Sequence, residues 1–239
     1  MLYEIFDHMH LCTDEAVREM LPLVSEQRRQ QALRYSHTFG RFCCLKSYLM
    51  LLELLSAVYP ELDTSKPEFG YTAQGKPFLL ARPDIHFSIS HSKNAILVAI
   101  SDAPIGVDIE AFRSPSAALI ARTMNATEQA AIATAATAAT PSGLLEPSGT
   151  REAQMEQASA AGTREAHLEQ PQAIGTPEAL FAAIWTRKEA VLKLRGTGIE
   201  GDLKHVLSGT EAIFTRIFPR KSYAFSIAQQ SISPFEILH

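Results

Sequence analysis

The sequence predicts an α+β protein in which helices mix with mostly antiparallel strands. Three observations carry this. Residues 13–59 are dense in helix formers and apolar residues. "IHFSIS" and "AILVAIS" are alternating or β-branched runs separated by a few polar residues, a connection only an antiparallel hairpin can use. Helix followed by strands recurs in both halves, so an internal duplication fits the pattern.

The elements follow in order. Residues 2–12 read as a strand. Residues 13–59 hold two or three helices, broken near Pro22 and Ser25, where Ser25 can cap the next helix. Residues 69–80 hold two short strands around the turn signal Gln74-Gly75. Residues 85–101 read as a hairpin whose turn carries Ser90, His91, Ser92 and Lys93. "IGVDIE" is the next strand, and one helix is expected over about 115–132. Residues 133–176 read as a low-complexity insert: no aromatic residue lies between Phe112 and Phe181, where the chain's 8% aromatic content would place about five. Within it "GTREAQMEQ" recurs as "GTREAHLEQ". "PEALFAAIWTRKEAVLKLRG" is a helix with Pro177 at its start and Gly196 past its end. Strands are expected at 211–218 and 222–229.

The bulk numbers narrow the function. At 239 residues the chain can build a real core. A net charge of −4 lacks the basic excess of a nucleic-acid binder. The acidic N-terminus does not read as a signal peptide. The longest apolar run, "YLMLLELLSAVY", is short and carries Glu53, so it reads as a buried helix and not a membrane span. Cys12, Cys43 and Cys44 offer neither a disulfide framework nor zinc spacing, which suits a reducing cytoplasm. No GxxxxGK[ST] signature is present, which removes the P-loop class.

Two segments carry chemistry. In a strand over 105–110, Val107 and Ile109 point to one face, while Asp108 and Glu110 point to the other, roughly 7 Å apart. Gly106 is on the acidic side and leaves room there for a ligand. Such a pair wants a cation or a basic partner, although a solvated edge strand would also accommodate it. On a helix over 177–195, Trp185, Glu189 and Lys193 share one face. Leu180, Ile184, Val191 and Leu194 form the opposite, buried stripe, with Arg187 lying anomalously within it. Glu189 and Lys193 also suit an ordinary surface pair, but the chain's single tryptophan beside them is unusual for a solvated face. Three carboxylates, Asp108, Glu110 and Glu189, form an oxygen-only set that suits Mg²⁺. Lys193 and Lys76 would meet phosphate oxygens, with Ser90 and His91 adding hydrogen bonds.

"GKPFL", "FSISHS", "GVDIE" and "WTRKEAVLKLRGTGI", in this order, closely resemble the 4′-phosphopantetheinyl transferase superfamily. The length and the mid-chain acidic motif resemble the surfactin-synthetase-activating type, a monomer of two similar halves. The shorter, trimeric acyl-carrier-protein synthases place that motif near the N-terminus. The resemblance spans about residues 25–230, the insert excepted. Each motif alone is weak, and the ordered set is specific.

The resemblance implies two similar α+β halves about a pseudo-two-fold, with the active site between them. Residues 1–104 would supply coenzyme A-binding elements. Residues 105–239 would supply the acidic motif and the Glu189 helix. The implied reaction moves the phosphopantetheine arm of coenzyme A to a serine of an apo acyl or peptidyl carrier protein and releases 3′,5′-ADP. Asp108, Glu110 and Glu189 would hold Mg²⁺ on the pyrophosphate. Glu189 would also serve as base, directly or through water. Lys193 would stabilise the leaving phosphate, Ser90 and His91 would bind the 3′-phosphate region, and Lys76 the nucleotide end. Arg41 is the expected contact among the N-terminal basic residues. A cytoplasmic monomer with neither nucleic acid nor membrane as partner is implied. The alternative is a non-catalytic homologue that binds coenzyme A or a carrier.

Overall fold

The computed structural model describes residues 1–65, 67–138, 175–198 and 202–230. The insert expected at 133–176 lies outside the described residues over 139–174.

The chain opens with β1, Leu2–Phe6, which is shorter than the strand expected over 2–12. It stops because Asp7 turns away to accept hydrogen bonds from Lys221 Nζ and Tyr223 Oη. Three helices follow. In α1, Asp14–Met20, the Thr13 hydroxyl accepts from Ala16 N. In α2, Glu26–Leu33, Ser25 accepts from Arg28 N. Between them Leu21–Leu23, with Pro22, makes one 3₁₀ turn. The long α3, Thr38–Val58, buries Phe42, Leu45, Met50, Leu51 and Leu55. Strands β2, Phe69–Tyr71, and β3, Pro77–Leu79, form a small hairpin whose turn places Gly75 at φ +83°.

β4, His86–Ser92, and β5, Ala95–Ser101, form the expected hairpin. The connection is only Lys93-Asn94, so Ser90, His91 and Ser92 belong to the strand and not to the turn. β6, Ile105–Ala111, follows. The single helix expected over 115–132 is two: α4, Ala117–Thr123, and α5, Ala126–Ala138. Asn125 restarts the helix in a capping box, its Oδ1 accepting from Glu128 N while Glu128 accepts from Asn125 N. Then come α6, Pro177–Arg195, β7, Ala212–Phe218, and β8, Tyr223–Gln229. Thr176 caps α6, and Gly196 ends it at φ +71°.

The architecture is α+β, and every strand pair among the described residues is antiparallel. Two three-stranded sheets share one connectivity, with orders β1-β5-β4 and β6-β8-β7. In each, the strand before the helices is an edge, and the second arm of the hairpin is central. The chain crosses from one sheet to the other at residues 102–104. Alternation along β5 sends Ile96, Val98 and Ile100 to the core under α3, and Ala95, Leu97 and Ala99 to the opposite face. That face packs on Ile105, Val107, Ile109, Phe225 and Ile227 of the second sheet. At the seam, Ser88 and Ser90 of β4 accept hydrogen bonds from the backbone N–H groups of Val107 and Ile109. Hydroxyls thus replace ladder bonds between the edges β4 and β6. Among the described residues no helix is long and apolar enough to cross a membrane.

Candidate active site

The site is built from β6 and α6. Helix α6 lies across β6 and β8 and is buried nearly all round. Arg187, expected inside the apolar stripe, is exposed on the helix's narrow solvent strip, so that anomaly disappears. Gly106 does not leave room for a ligand. A Cβ there would come within 2.0 Å of Ala190 O and 2.3 Å of Leu194 N, so the glycine admits the backbone of α6. This close approach brings Glu189 and Lys193 against the acidic face of β6.

Asp108 is 4% exposed. Its Oδ1 accepts from Lys193 Nζ at 2.8 Å and from Ser90 Oγ at 2.7 Å. Its Oδ2 is buried without a hydrogen-bond partner, and so is Oε1 of Glu189, which is 9% exposed. Burial, and then the charge of Asp108, push the Glu110 carboxyl up to about 7. The same two causes raise Glu189. These shifts describe negative charge crowded into a dry place with too little positive charge to meet it. Among the described residues no three His, Cys, Asp or Glu side chains stand as a ready ligand set. What fits a hard cation is the donor chemistry: carboxylate oxygens alone, two of them buried and unpartnered.

Beside Glu189 and Lys193 lies a cavity of about 380 Å³, also lined by Lys76, Pro77, Phe87, Ser88, Ile89 and Leu192. Lys76 projects into the junction of the two site elements. Its Nζ donates to Leu194 O at 3.1 Å and Ile105 O at 3.3 Å, and burial lowers its pKa.

The structure does not bring Ser90 and His91 to one point. Successive strand residues face opposite ways. Ser90 points inward to Asp108, whereas the exposed His91 ring meets Phe39 edge-on at 6.1 Å. Although His91 reaches solvent, the protein crowded around its ring, and then the charge of Lys193, lower its pKa. Arg41 sits on α3, its Nε donating to Tyr35 O at 2.9 Å, and it does not line the cavity.

Sequence reasoning passed over Lys188. Its side chain is fully buried, and its ammonium donates to Glu128 Oε2 at 2.6 Å, Thr123 O at 2.8 Å and Leu203 O at 2.9 Å. It fastens α6 to the end of α4, to α5 and to the segment before β7. Nothing in the sequence distinguishes it from a solvated lysine, because the burial of α6 on nearly every side is visible only in the fold. Trp185, whose ring stacks on Phe181 at 6.2 Å, belongs to this same packing.

A profile of the 4′-phosphopantetheinyl transferase superfamily matches residues 104–227, just over half the chain. The chain belongs to that superfamily. Among curated relatives, the 4′-phosphopantetheinyl transferase Sfp of Bacillus subtilis (strain 168) is 31% identical over 127 residues, 53% of this chain and 56% of the relative. The 4′-phosphopantetheinyl transferase psf-1 of Bacillus pumilus is 25% identical over 183 residues, 77% of this chain and 62% of the relative. The 4′-phosphopantetheinyl transferase gsp of Aneurinibacillus migulanus is 34% identical over 87 residues, 36% of this chain and 35% of the relative. The chain thus spans little more than half the length of the first relatives it matches.

Proposed function

We propose that this protein transfers the 4′-phosphopantetheine arm of coenzyme A to a serine of an apo acyl or peptidyl carrier protein and releases 3′,5′-ADP. The observation that carries the reading is the pair of buried, unpartnered carboxylate oxygens, Asp108 Oδ2 and Glu189 Oε1, beside a cavity that also presents Lys193. The relatives' names support the reaction class.

Asp108, Glu110 and Glu189 would hold Mg²⁺, which neutralises charge on the pyrophosphate when bound. The serine oxygen forms a bond to the phosphorus that carries pantetheine, and the bond from that phosphorus to the bridging oxygen breaks. The electron pair leaves on 3′,5′-ADP. Lys193 stabilises the charge on this leaving phosphate. Glu189, with its raised pKa, takes the serine proton directly or through water. Ser90 orients Asp108. His91, Lys76 and Arg41 are the proposed contacts for the nucleotide end, Lys76 after leaving its two carbonyls. The two sheets of like connectivity would be related by a pseudo-two-fold, with residues 1–104 and 105–239 as halves and the site at their seam. A reducing cytoplasm suits the three free thiols, and a monomer is the oligomeric state we propose.

Incubation with coenzyme A, Mg²⁺ and a panel of apo carriers tests the reading. Release of 3′,5′-ADP that needs a carrier and stops with chelator is expected. Binding of coenzyme A or carrier without any release would instead establish the non-catalytic homologue.

A further inference from the structure

We propose that Lys193 is the resident counter-ion of the acidic site: without a divalent cation its ammonium occupies Asp108, and the entering cation displaces it into the cavity. This rests on reading Asp108, Glu110 and Glu189 as a cation site.

The geometry assigns the two oxygens of Asp108 different tasks. Oδ1 is engaged by Lys193 at 2.8 Å and Ser90 at 2.7 Å, while Oδ2 is buried and bare. A carboxylate this buried needs a cation against it. The lysine supplies one positive charge to a place where Asp108, Glu110 and Glu189 bring three carboxyl groups. A divalent ion held by these carboxylates would meet oxygens that now have no partner and would bring like charge close to the ammonium. The lysine then loses its reason to stay.

It is also free to leave. The Lys193 side chain is 32% exposed and lines the cavity, and a lysine's four-carbon stem swings readily. Lys188, five residues earlier on the same helix, makes the contrast. Its side chain is fully buried, with all three donor positions filled by Glu128, Thr123 O and Leu203 O. One lysine is a fixed strut and the other a movable charge. Lys193 already lines the cavity, but its ammonium would turn away from Asp108 and into that space only once the cation is seated, so cation binding would prepare the site for an anionic substrate. By linkage, the lysine and the cation then oppose each other on Asp108.

The test titrates the full-length protein with Mn²⁺, without coenzyme A or carrier, by electron paramagnetic resonance, and follows melting in EDTA and in Mn²⁺. Lys193→Met is expected to bind Mn²⁺ more tightly than the parent, by about tenfold, an ordinary size for linked binding. It should melt lower than the parent in EDTA and gain more from Mn²⁺. Lys193→Arg keeps the charge and should bind Mn²⁺ no more tightly than the parent; Lys193→Gln replaces Lys193→Met if that variant does not fold. Equal or weaker binding by the neutral variants overturns the counter-ion role while leaving the cation site standing. No saturable Mn²⁺ binding by any of the proteins overturns both.

Discussion

Glu110 is the residue at which the site's electrostatics can be measured most simply. Its carboxyl is raised to about 7, first by burial and then by Asp108. In the unfolded chain it titrates near the ordinary carboxylate value. Between those two points the folded state keeps a proton that the unfolded state has lost, so raising the pH there costs stability. Without divalent cations, Glu110 therefore contributes a loss of stability as pH rises from about 4.5 to about 7, with no further loss above. Denaturant unfolding across this range should show the parent losing stability relative to Glu110→Gln as the pH rises. Glu189, shifted the same way, adds to the decline, while His86 and His91, both lowered, oppose it up to the ordinary histidine value. A Glu110→Gln variant whose stability follows the parent's at every pH in this window would contradict the reading.

At this scale the sequence was partly legible. Alternation in "IGVDIE" put Asp108 and Glu110 on one face and Val107 on the other. The partner of Ser90 could not be read, because Asp108 is 18 residues away and meets it only when the edges of two sheets come together. Lys188 was illegible for a related reason. A lysine in a sequence reads as solvated, and only the convergence of Glu128, Thr123 and Leu203 makes its burial tolerable.

The decisive element is α6. Its position depends on Gly106, where any Cβ meets helix backbone that cannot move aside as a side chain would. Gly106→Ala should destabilise by about 1–3 kcal/mol or more and reduce transfer, because α6 carries Glu189 and Lys193. A variant with unchanged melting would mean that the helix rides higher on β6. The other anchor is Lys188. Lys188→Met strands Glu128 beside the core and should cost about 3–5 kcal/mol. Lys188→Met combined with Glu128→Leu should recover much of that, because the uncompensated charge is gone. Additive losses in the double variant would count against a direct pair.

The span of α6 was evident from its Pro177 start and Gly196 end. That it is buried on nearly every side was not, since its small and polar residues read as a solvated face. Thr186, for instance, is buried because its hydroxyl meets that of Ser226 at 2.9 Å on β8. Likewise, the helix expected over 115–132 breaks at Asn125, whose capping box with Glu128 is a local signal that apolar periodicity alone did not reveal.

For the whole molecule, the question is what joins the two sheets. Apolar faces do most of it, and α+β with antiparallel strands followed directly from hairpin spacing in the sequence. The seam itself was not legible, because it runs through hydroxyls that look like ordinary strand serines. Ser88→Ala and Ser90→Ala each leave a buried N–H, of Val107 or Ile109, without its acceptor. Each should cost about 1–3 kcal/mol of stability. Only Ser90→Ala also removes a hydrogen bond to Asp108, so it should lower transfer further at equal foldedness. Equal activity losses in the two variants would argue that Ser90 acts only through the seam.

The most direct measurement of the central claim is the intact mass of an apo carrier protein after incubation with coenzyme A, Mg²⁺ and either the parent or Glu189→Gln. The parent should add the mass of one phosphopantetheine arm, at one serine. Glu189→Gln, nearly isosteric but neither base nor anionic ligand, should keep the parent's circular dichroism and add nothing. A carrier left unmodified by the parent across acyl and peptidyl types, or modified equally well by Glu189→Gln, would contradict the proposed chemistry.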